Sequence, residues 1–462
     1  MPRNVGPSTR LDFTLFLMDQ VVFKIPRMCK VHMNTIADLS PRELEALHTR
    51  VRSEYENFRA RGLKLDMTRG KPAPDQLDLA NGLLALPGNG DYFTGAHEDA
   101  RNYGGLQGLP EVRALFAPVL GAPADQIVIG DNSSLALMHD SIVYALLKGV
   151  PGSDKPWSKA DSIAFICPVP GYDRHFAICE EYGIRMIPVP LTGNGPDLDA
   201  VEALVQDPSV KGMWCVPKYS NPSGEIYSDD TVQRLAAMRT AAPDFRLFWD
   251  NAYVLHHLTE TQHEIANILE ACEKAGHPDR AFVFASTSKM TLAGAGLAFF
   301  ASSAANVRWY LARAGKRTIG PDKLNQLRHL RFLRDTEGLL KLMDGHRLLL
   351  APKFVAVAEA LERRLGGTGV AHWTKPEGGY FISVDAMGGT ATRVVELAKE
   401  AGIALTPAGS TAPYGKDPRD SNLRLAPTFP TLEDVRAASE GIALAILLAG
   451  LEKQIAASQA AA

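Results

Sequence analysis

The chain has 462 residues, sets 49 lysines and arginines against 52 aspartates and glutamates, and is 46% hydrophobic. That length exceeds what one hydrophobic core usually serves and predicts two domains of unequal size, while a net charge of only -3 excludes the electrostatic attraction that nucleic-acid or membrane-surface binding draws on. Five cysteines, Cys29, Cys167, Cys179, Cys215 and Cys272, are odd in number and lack the short paired spacings of zinc sites or disulfide frameworks, which points to a reducing cytoplasm and to no metal.

The first 33 residues differ in character from the rest of the chain. LDFTLFLMDQVVF within them is interrupted by Asp19, is too short to span a bilayer and precedes no small-residue cleavage site. An upstream-extended start with Met33 as the initiator is preferred over a signal peptide, and residues 1–39 are expected to form a poorly ordered extension. At Ser40 the run S-P-R-E supplies an N-cap, a proline for the first helical position and a glutamate for a capping box. Leu44, Leu47, Val51, Tyr55 and Phe58 then fall on one helical face. Short apolar strands next alternate with helical stretches: QIVI, SIAFIC, IRMIPV, GMWCV, FRLFW, AFVFA and LAFF. This rhythm predicts an α/β fold, a mostly parallel seven-stranded sheet with helices on both faces. After about Gly345 the pattern changes to a helix, the strand-like GYFISVD, the helical RVVELAKEAG, the LRLAP segment and a long helix after Pro430. The expected division is a large domain over 81–344 and a smaller α+β domain over 40–80 with 345–462.

In an open α/β sheet, ligands sit beyond the carboxyl ends of the strands, and four polar clusters occur there in order. After QIVIG come Asp131, Asn132, Ser133 and Ser134 at the start of a helix, an anion site by its free N–H groups or simply a capped helix. After GMWCV comes Asn221-Pro222-Ser223-Gly224, which alone is a turn. After FRLFW come Asp250 and Tyr253, and after AFVFA comes S-T-S-K with Lys289. A carboxylate buried at a strand end requires a cation or several donors. Burial would push the lysine amine down toward a nucleophilic range. A salt bridge between Asp250 and Lys289 would account for both without any function.

The order of the clusters resembles the class I aminotransferases, fold-type I enzymes dependent on pyridoxal 5'-phosphate. The resemblance extends to R-N-Y-G-G-L-Q-G-L-P-E around Tyr103, P-G-Y-D-R-H around Tyr172 and N-L-R-L-A-P around Arg424, and it spans roughly residues 40–450. TRGKP, DNSSL and STSKMTLAGAG are similar to the divergent bacterial subgroup of aspartate aminotransferases. The resemblance implies that Lys289 holds the cofactor as a Schiff base and shuttles a proton, that Asp250 keeps the pyridine nitrogen protonated, and that His175 supports Asp250. It implies that Asn221 and Tyr253 bind the ring hydroxyl, that Tyr172 stacks on the ring, and that Ser133, Ser134 and Ser286 bind the phosphate. Tyr103 is implied to reach the phosphate of the neighbouring subunit in a homodimer with shared sites. Arg424 is implied to clamp the substrate α-carboxylate, and Gly70 to let backbone approach the substrate. Amino-acid and 2-oxo-acid substrates are implied as well, with aspartate and 2-oxoglutarate from the subgroup and aromatic or 2-aminoadipate-like donors as the alternative. Candidates for a cation at the side-chain end of a dicarboxylate are Lys316, Arg317 and Arg69.

One departure concerns the phosphate. Many class I members carry a basic residue several positions after the Schiff-base lysine, whereas here the segment reads MTLAGAGLAFF. Two other classes fit less well. An acyl-serine hydrolase using Ser286 and Lys289 requires its S-x-x-K at a helix start and a later K-T-G, and neither is present. A transcription regulator on an aminotransferase fold requires a DNA-binding domain, for which the residues ahead of Ser40 offer no basic patch.

Overall fold

Ser40 starts the first helix in the manner its sequence predicts. The computed structural model describes residues 35–461; Met33, Cys29 and the first 34 positions of the expected extension lie outside the described residues. The Ser40 hydroxyl accepts from the Glu43 N–H and the Glu43 carboxylate accepts from the Ser40 N–H, opening α1 (Pro41–Arg59). Leu44, Val51, Tyr55 and Phe58 are buried on its inner face and Leu47 packs at the margin.

All seven expected strands form one sheet: β1 (Ile127–Ile129), β2 (Ala164–Val169), β3 (Arg185–Pro190), β4 (Val210–Cys215), β5 (Arg246–Asp250), β6 (Ala281–Ser286) and β7 (Ala298–Ala301). Their spatial order is β1-β7-β6-β5-β4-β2-β3, and β7 alone runs against its neighbours. The central strands are buried along their whole length because both faces are covered. Side chains alternate between two cores: Leu247, Trp249 and Val283 face one, Phe248, Phe282 and Phe284 the other. Helices α2 (Ser134–Lys148), α3 (Asp173–Glu181) and α4 (Ala304–Arg317) come after β1, β2 and β7. Cys215 pairs with Trp249 and Asp250 with Phe284, so the loops carrying Asn221, Asp250 and Lys289 leave the sheet at one carboxyl-terminal edge.

A third core collects the remaining elements. Helix α5 (Thr336–Leu365) crosses between cores: Leu339, Leu342 and Met343 join the large sheet, whereas Leu350, Phe354, Val357, Leu361 and Leu365 join the third core. The change of rhythm expected near Gly345 thus falls inside one continuous helix. Strands β8 (Ala371–Trp373), β9 (Ile382–Ala386) and β10 (Asn422–Leu425) pair antiparallel in the order β10-β9-β8. Strand β9 starts later than GYFISVD suggests. The residues before Ile382 bond elsewhere: the Gly379 N–H donates to the His256 carbonyl and the Leu258 N–H to the Glu377 carbonyl, both at 2.8 Å, and a Cβ on Gly378 would lie 2.3 Å from the Tyr219 ring. Helix α6 (Leu432–Ala461) is long and apolar enough to cross a membrane, but Val435, Ala438, Ile442, Leu444, Ile446, Leu448 and Leu451 are buried within the protein, as in a core helix.

Candidate active site

Lys289 stands in a tight turn three residues beyond β6. Thr287, fully buried, builds that turn: its carbonyl accepts from the Met290 and Thr291 N–H groups at 2.9 Å, and its hydroxyl accepts from the Leu297 N–H at 2.8 Å. The Lys289 amine lies 5.1 Å from the centre of the Tyr253 ring and 5.9 Å from that of Tyr380. Burial lowers its pKa and the Asp250 charge works in the opposite direction, so the amine is shifted toward its neutral form while still feeling its counter-charge.

Asp250 ends β5 with 3% of its surface exposed. Its Oδ2 pairs with His175 Nε2 at 3.0 Å, and the His175 ring is fixed by stacking on Trp214, centroids 4.3 Å apart and planes 8° apart. Its Oδ1 is buried with no partner, as is Oδ1 of Asn221. A buried acceptor left alone costs about 1–3 kcal/mol, more when it is charged. Tyr172, immediately before α3, meets the edge of the His175 ring at 5.0 Å. Burial, reinforced by the charge of Asp250, raises the pKa of both Tyr172 and Tyr253, which keeps the two phenols protonated.

Beside the lysine turn, Ser133 caps α2 by accepting from the Ala136 N–H at 3.2 Å, and Ser134 opens the helix. Ser288 ties the two loops together, its hydroxyl donating to the Asn132 carbonyl at 3.0 Å and its N–H to Ser286 Oγ at 3.4 Å. The glycine loop closes on this cup, where Asn132 Nδ2 donates to the Gly294 carbonyl at 3.2 Å. The arrangement offers hydroxyls and a helix N-terminus to an anion. At Leu297, inside the segment that lacks a basic residue, the side chain is buried in the core of the large sheet.

Arg424 is on β10 with its side chain 8% exposed. Nη1 donates to Asp173 Oδ1 at 2.9 Å, the guanidinium lies 5.1 Å from the centre of the Phe381 ring, and Nε is buried without a partner. Gly70 touches the same ring: a Cβ there would come within 2.3 Å of Phe381 Cζ, so any side chain would displace the support beneath Arg424.

The structure thus gathers Lys289, Asp250, Tyr253, His175, Tyr172, Asn221, Arg424 and Gly70 around the carboxyl edge of the sheet, with Ser133, Ser134 and Ser286 beside them. Others are on the surface of this chain. Tyr103 is 76% exposed. Lys316 is exposed at the end of α4, Arg317 Nε lies 3.3 Å from Asp140 on α2, and Arg69 is exposed beside Gly70. Sequence reasoning missed Asp173, although it directly follows Tyr172, and it missed His256, Gln76, His346 and Tyr380, which surround the Lys289 backbone. A buried histidine or glutamine carries no local signature, so nothing in the linear pattern marks the last four.

The chain is similar to known proteins over most of its length. The family model described as aspartate amino-transferase matches residues 39–458. An aspartate aminotransferase of Corynebacterium glutamicum is 51% identical over 418 residues, 90% of this chain and 97% of that protein. The crystal structure of an aspartate transaminase from Corynebacterium glutamicum is similar with a TM-score of 0.89 and 50% identity, covering 91% of this chain and 99% of that one. The alpha-aminoadipate aminotransferase of Thermus thermophilus, crystallised with N-(5'-phosphopyridoxyl)-L-leucine, shares the fold with a TM-score of 0.68 at 21% identity, over 84% of this chain and 93% of that one.

Proposed function

The chain belongs to the aspartate amino-transferase family and is an aminotransferase, and on that premise we propose that it uses pyridoxal 5'-phosphate to move amino groups between aspartate and 2-oxoglutarate in a ping-pong cycle. The observation that carries the cofactor is the set of buried polar groups lacking partners beside Lys289: Asp250 Oδ1, the Asn221 amide oxygen and Arg424 Nε. A protonated pyridine nitrogen answers the first, the ring hydroxyl calls on the Asn221 amide and Tyr253, and an α-carboxylate answers the third, so the residues fit the group.

When bound, the cofactor supplies the carbonyl carbon that receives the amino group and a ring that withdraws electrons. Lys289 Nζ, shifted toward its neutral form by burial, would hold the cofactor through that carbon and, once the substrate amine had displaced it and set it free, would take the proton from the substrate α-carbon. Asp250 holds a proton on the ring nitrogen through its charge, and His175 keeps the carboxylate in place. Tyr253, protonated because it is buried, donates a hydrogen bond to the ring oxygen. Tyr172 covers the ring, and Ser133, Ser134 and Ser286 bind the phosphate. Asp173 occupies Nη1 of Arg424, leaving the Nε side for the substrate carboxylate. Two lobes frame this site, 81–344 and 40–80 with 345–462.

An amino-donor screen with 2-oxoglutarate tests the substrate. Aspartate is expected to rank first; an aromatic or 2-aminoadipate donor in that place would replace it. Arg424→Ala is expected to raise KM for every amino donor by roughly 10- to 100-fold, the worth of a charge-assisted hydrogen bond. Substituting the side-chain cation penalises aspartate and glutamate alone. If Arg69→Ala, Lys316→Ala and Arg317→Ala each leave the aspartate-to-alanine ratio unchanged, all three candidates are wrong.

We read Tyr103 as serving a neighbouring subunit in a homodimer. It is exposed, as is Ile319 at 65%, and the glycines next to them, Gly104 and Gly320, approach closely. Lys289→Ala homodimers are expected to be inactive and Tyr103→Ala homodimers impaired. Refolding the two together gives hybrids with one intact site, and activity should rise toward about a quarter of wild type if half the dimers are hybrid. Confirmed hybrids without recovered activity would show that Tyr103 serves its own subunit's site or none.

A further inference from the structure

Side chains from four segments gather at the main chain beneath Lys289. His346 Nε2 lies 2.8 Å from the Met290 carbonyl, and Gln76 Nε2 lies 3.2 Å from His346 Nδ1 and 3.0 Å from the Tyr380 hydroxyl. Tyr380 donates to the Lys289 carbonyl at 3.4 Å, and His256 Nε2 reaches that same oxygen at 3.3 Å. Gln76 Oε1 accepts from the Ala73 N–H at 3.0 Å. Gln76, His346, Tyr380 and His256 are all buried.

This bonding assigns the protons. The Met290 carbonyl only accepts, so His346 carries hydrogen on Nε2 and presents a lone pair at Nδ1 to one amide hydrogen of Gln76, whose other hydrogen serves Tyr380. His346 is then neutral, as burial also favours. Both Gln76 hydrogens and its oxygen are taken, leaving no donor of the amide idle. Such a polar network contributes little net stability, since apolar groups of the same shape often replace it at no cost, and its use lies in fixing geometry. What it fixes is the turn of Lys289.

We propose that Gln76, His346 and Tyr380 form a positioning array for Lys289, holding the Lys289 and Met290 carbonyls so that the amine stays beside Tyr253. The array acts on proton transfer and leaves binding of the amino donor alone. This rests on the reading of Lys289 as the catalytic amine.

Gln76→Leu, His346→Leu and the milder Tyr380→Phe are compared as holoenzymes with His346→Gln, whose amide can still donate to Met290. The first two are expected to lower kcat by roughly 10- to 100-fold, the effect of displacing a reacting group by about an ångström. KM for aspartate should stay within about twofold, on the argument that Arg424 binding is uniform to ground and transition states. Tyr380→Phe is expected to show a smaller loss, and His346→Gln to recover most of the His346→Leu loss. In the cofactor-free proteins, amide hydrogen exchange should quicken in the peptide spanning 287–292 and remain unchanged in the sheet. Added to Lys289→Ala, Gln76→Leu should not lower the residual single-turnover rate further. Unchanged kcat in Gln76→Leu and Tyr380→Phe, a further loss on top of Lys289→Ala, or faster exchange throughout the sheet would each overturn the array. A wild type that bound no cofactor would instead overturn the reading of Lys289, and the exchange of 287–292 would still decide the array.

Discussion

Lys289→Ala is expected to lower amino transfer by about 10,000-fold or more, because in the proposed mechanism one substitution would remove both the group that binds the cofactor's carbonyl carbon and the base that moves the α-proton. A small amine such as methylamine should restore part of the single-turnover rate in this variant, since the base is supplied from solution while Arg424, Asp250 and Tyr253 keep the reactants in place. Lys218 is an internal comparison. It too is buried, its pKa is pushed down to about 8, and its amine donates to the Val254 carbonyl at 2.7 Å. A low amine pKa alone therefore does not distinguish the two lysines. Position does: Lys218 is committed to a backbone carbonyl, whereas Lys289 lies beside Tyr253 and feels Asp250. After borohydride reduction, peptide mapping should find the cofactor on Lys289. An adduct on Lys218, or turnover of Lys289→Ala near that of wild type, would end the assignment.

Asp250 and Lys289 were legible because each is polar at the end of an apolar strand, and a β-strand announces itself by a short run such as FRLFW or AFVFA. Seven such runs sufficed to give the sheet, since buried parallel strands require continuous apolar sequence. Helix α1 was legible from its capping box and spacing. Pairings across the chain were not. Asp173 and Arg424 are 251 positions apart, and Gln76 and His346 are 270 apart, so no local pattern links them. The short strand β8 and the two-residue pairing of Leu65–Asp66 with Ile403–Ala404 also escaped, because two or three residues establish no period. The late start of β9 has the same origin. GYFISVD alternates well enough for a strand, but the Gly378–Gly379 main chain bonds to the distant His256–Leu258 segment instead of the ladder.

The second large effect concerns charge rather than a nucleophile. Asp250→Asn preserves the shape of a side chain that is 3% exposed, and the amide oxygen can still accept from His175 Nε2. The negative charge is lost. Without it nothing in the site favours a proton on the ring nitrogen, and the electron-withdrawing strength that the reaction draws on falls. Removing a preorganised electrostatic partner of the reacting charge costs on the order of 1,000-fold in kcat. Since that interaction strengthens as charge develops, kcat and kcat/KM should fall together. The protein should still bind the chromophore, because Lys289 and the serine cup are untouched. Asp250→Ala separates charge from packing. If Asp250 acted by filling space beside His175, the isosteric asparagine would be nearly normal and alanine would be severe. If its charge is what matters, both lose turnover by comparable factors, and His175→Gln, which removes only the carboxylate's support, loses less. Near-normal turnover of Asp250→Asn would therefore remove Asp250 from the mechanism and leave it a buried structural acid.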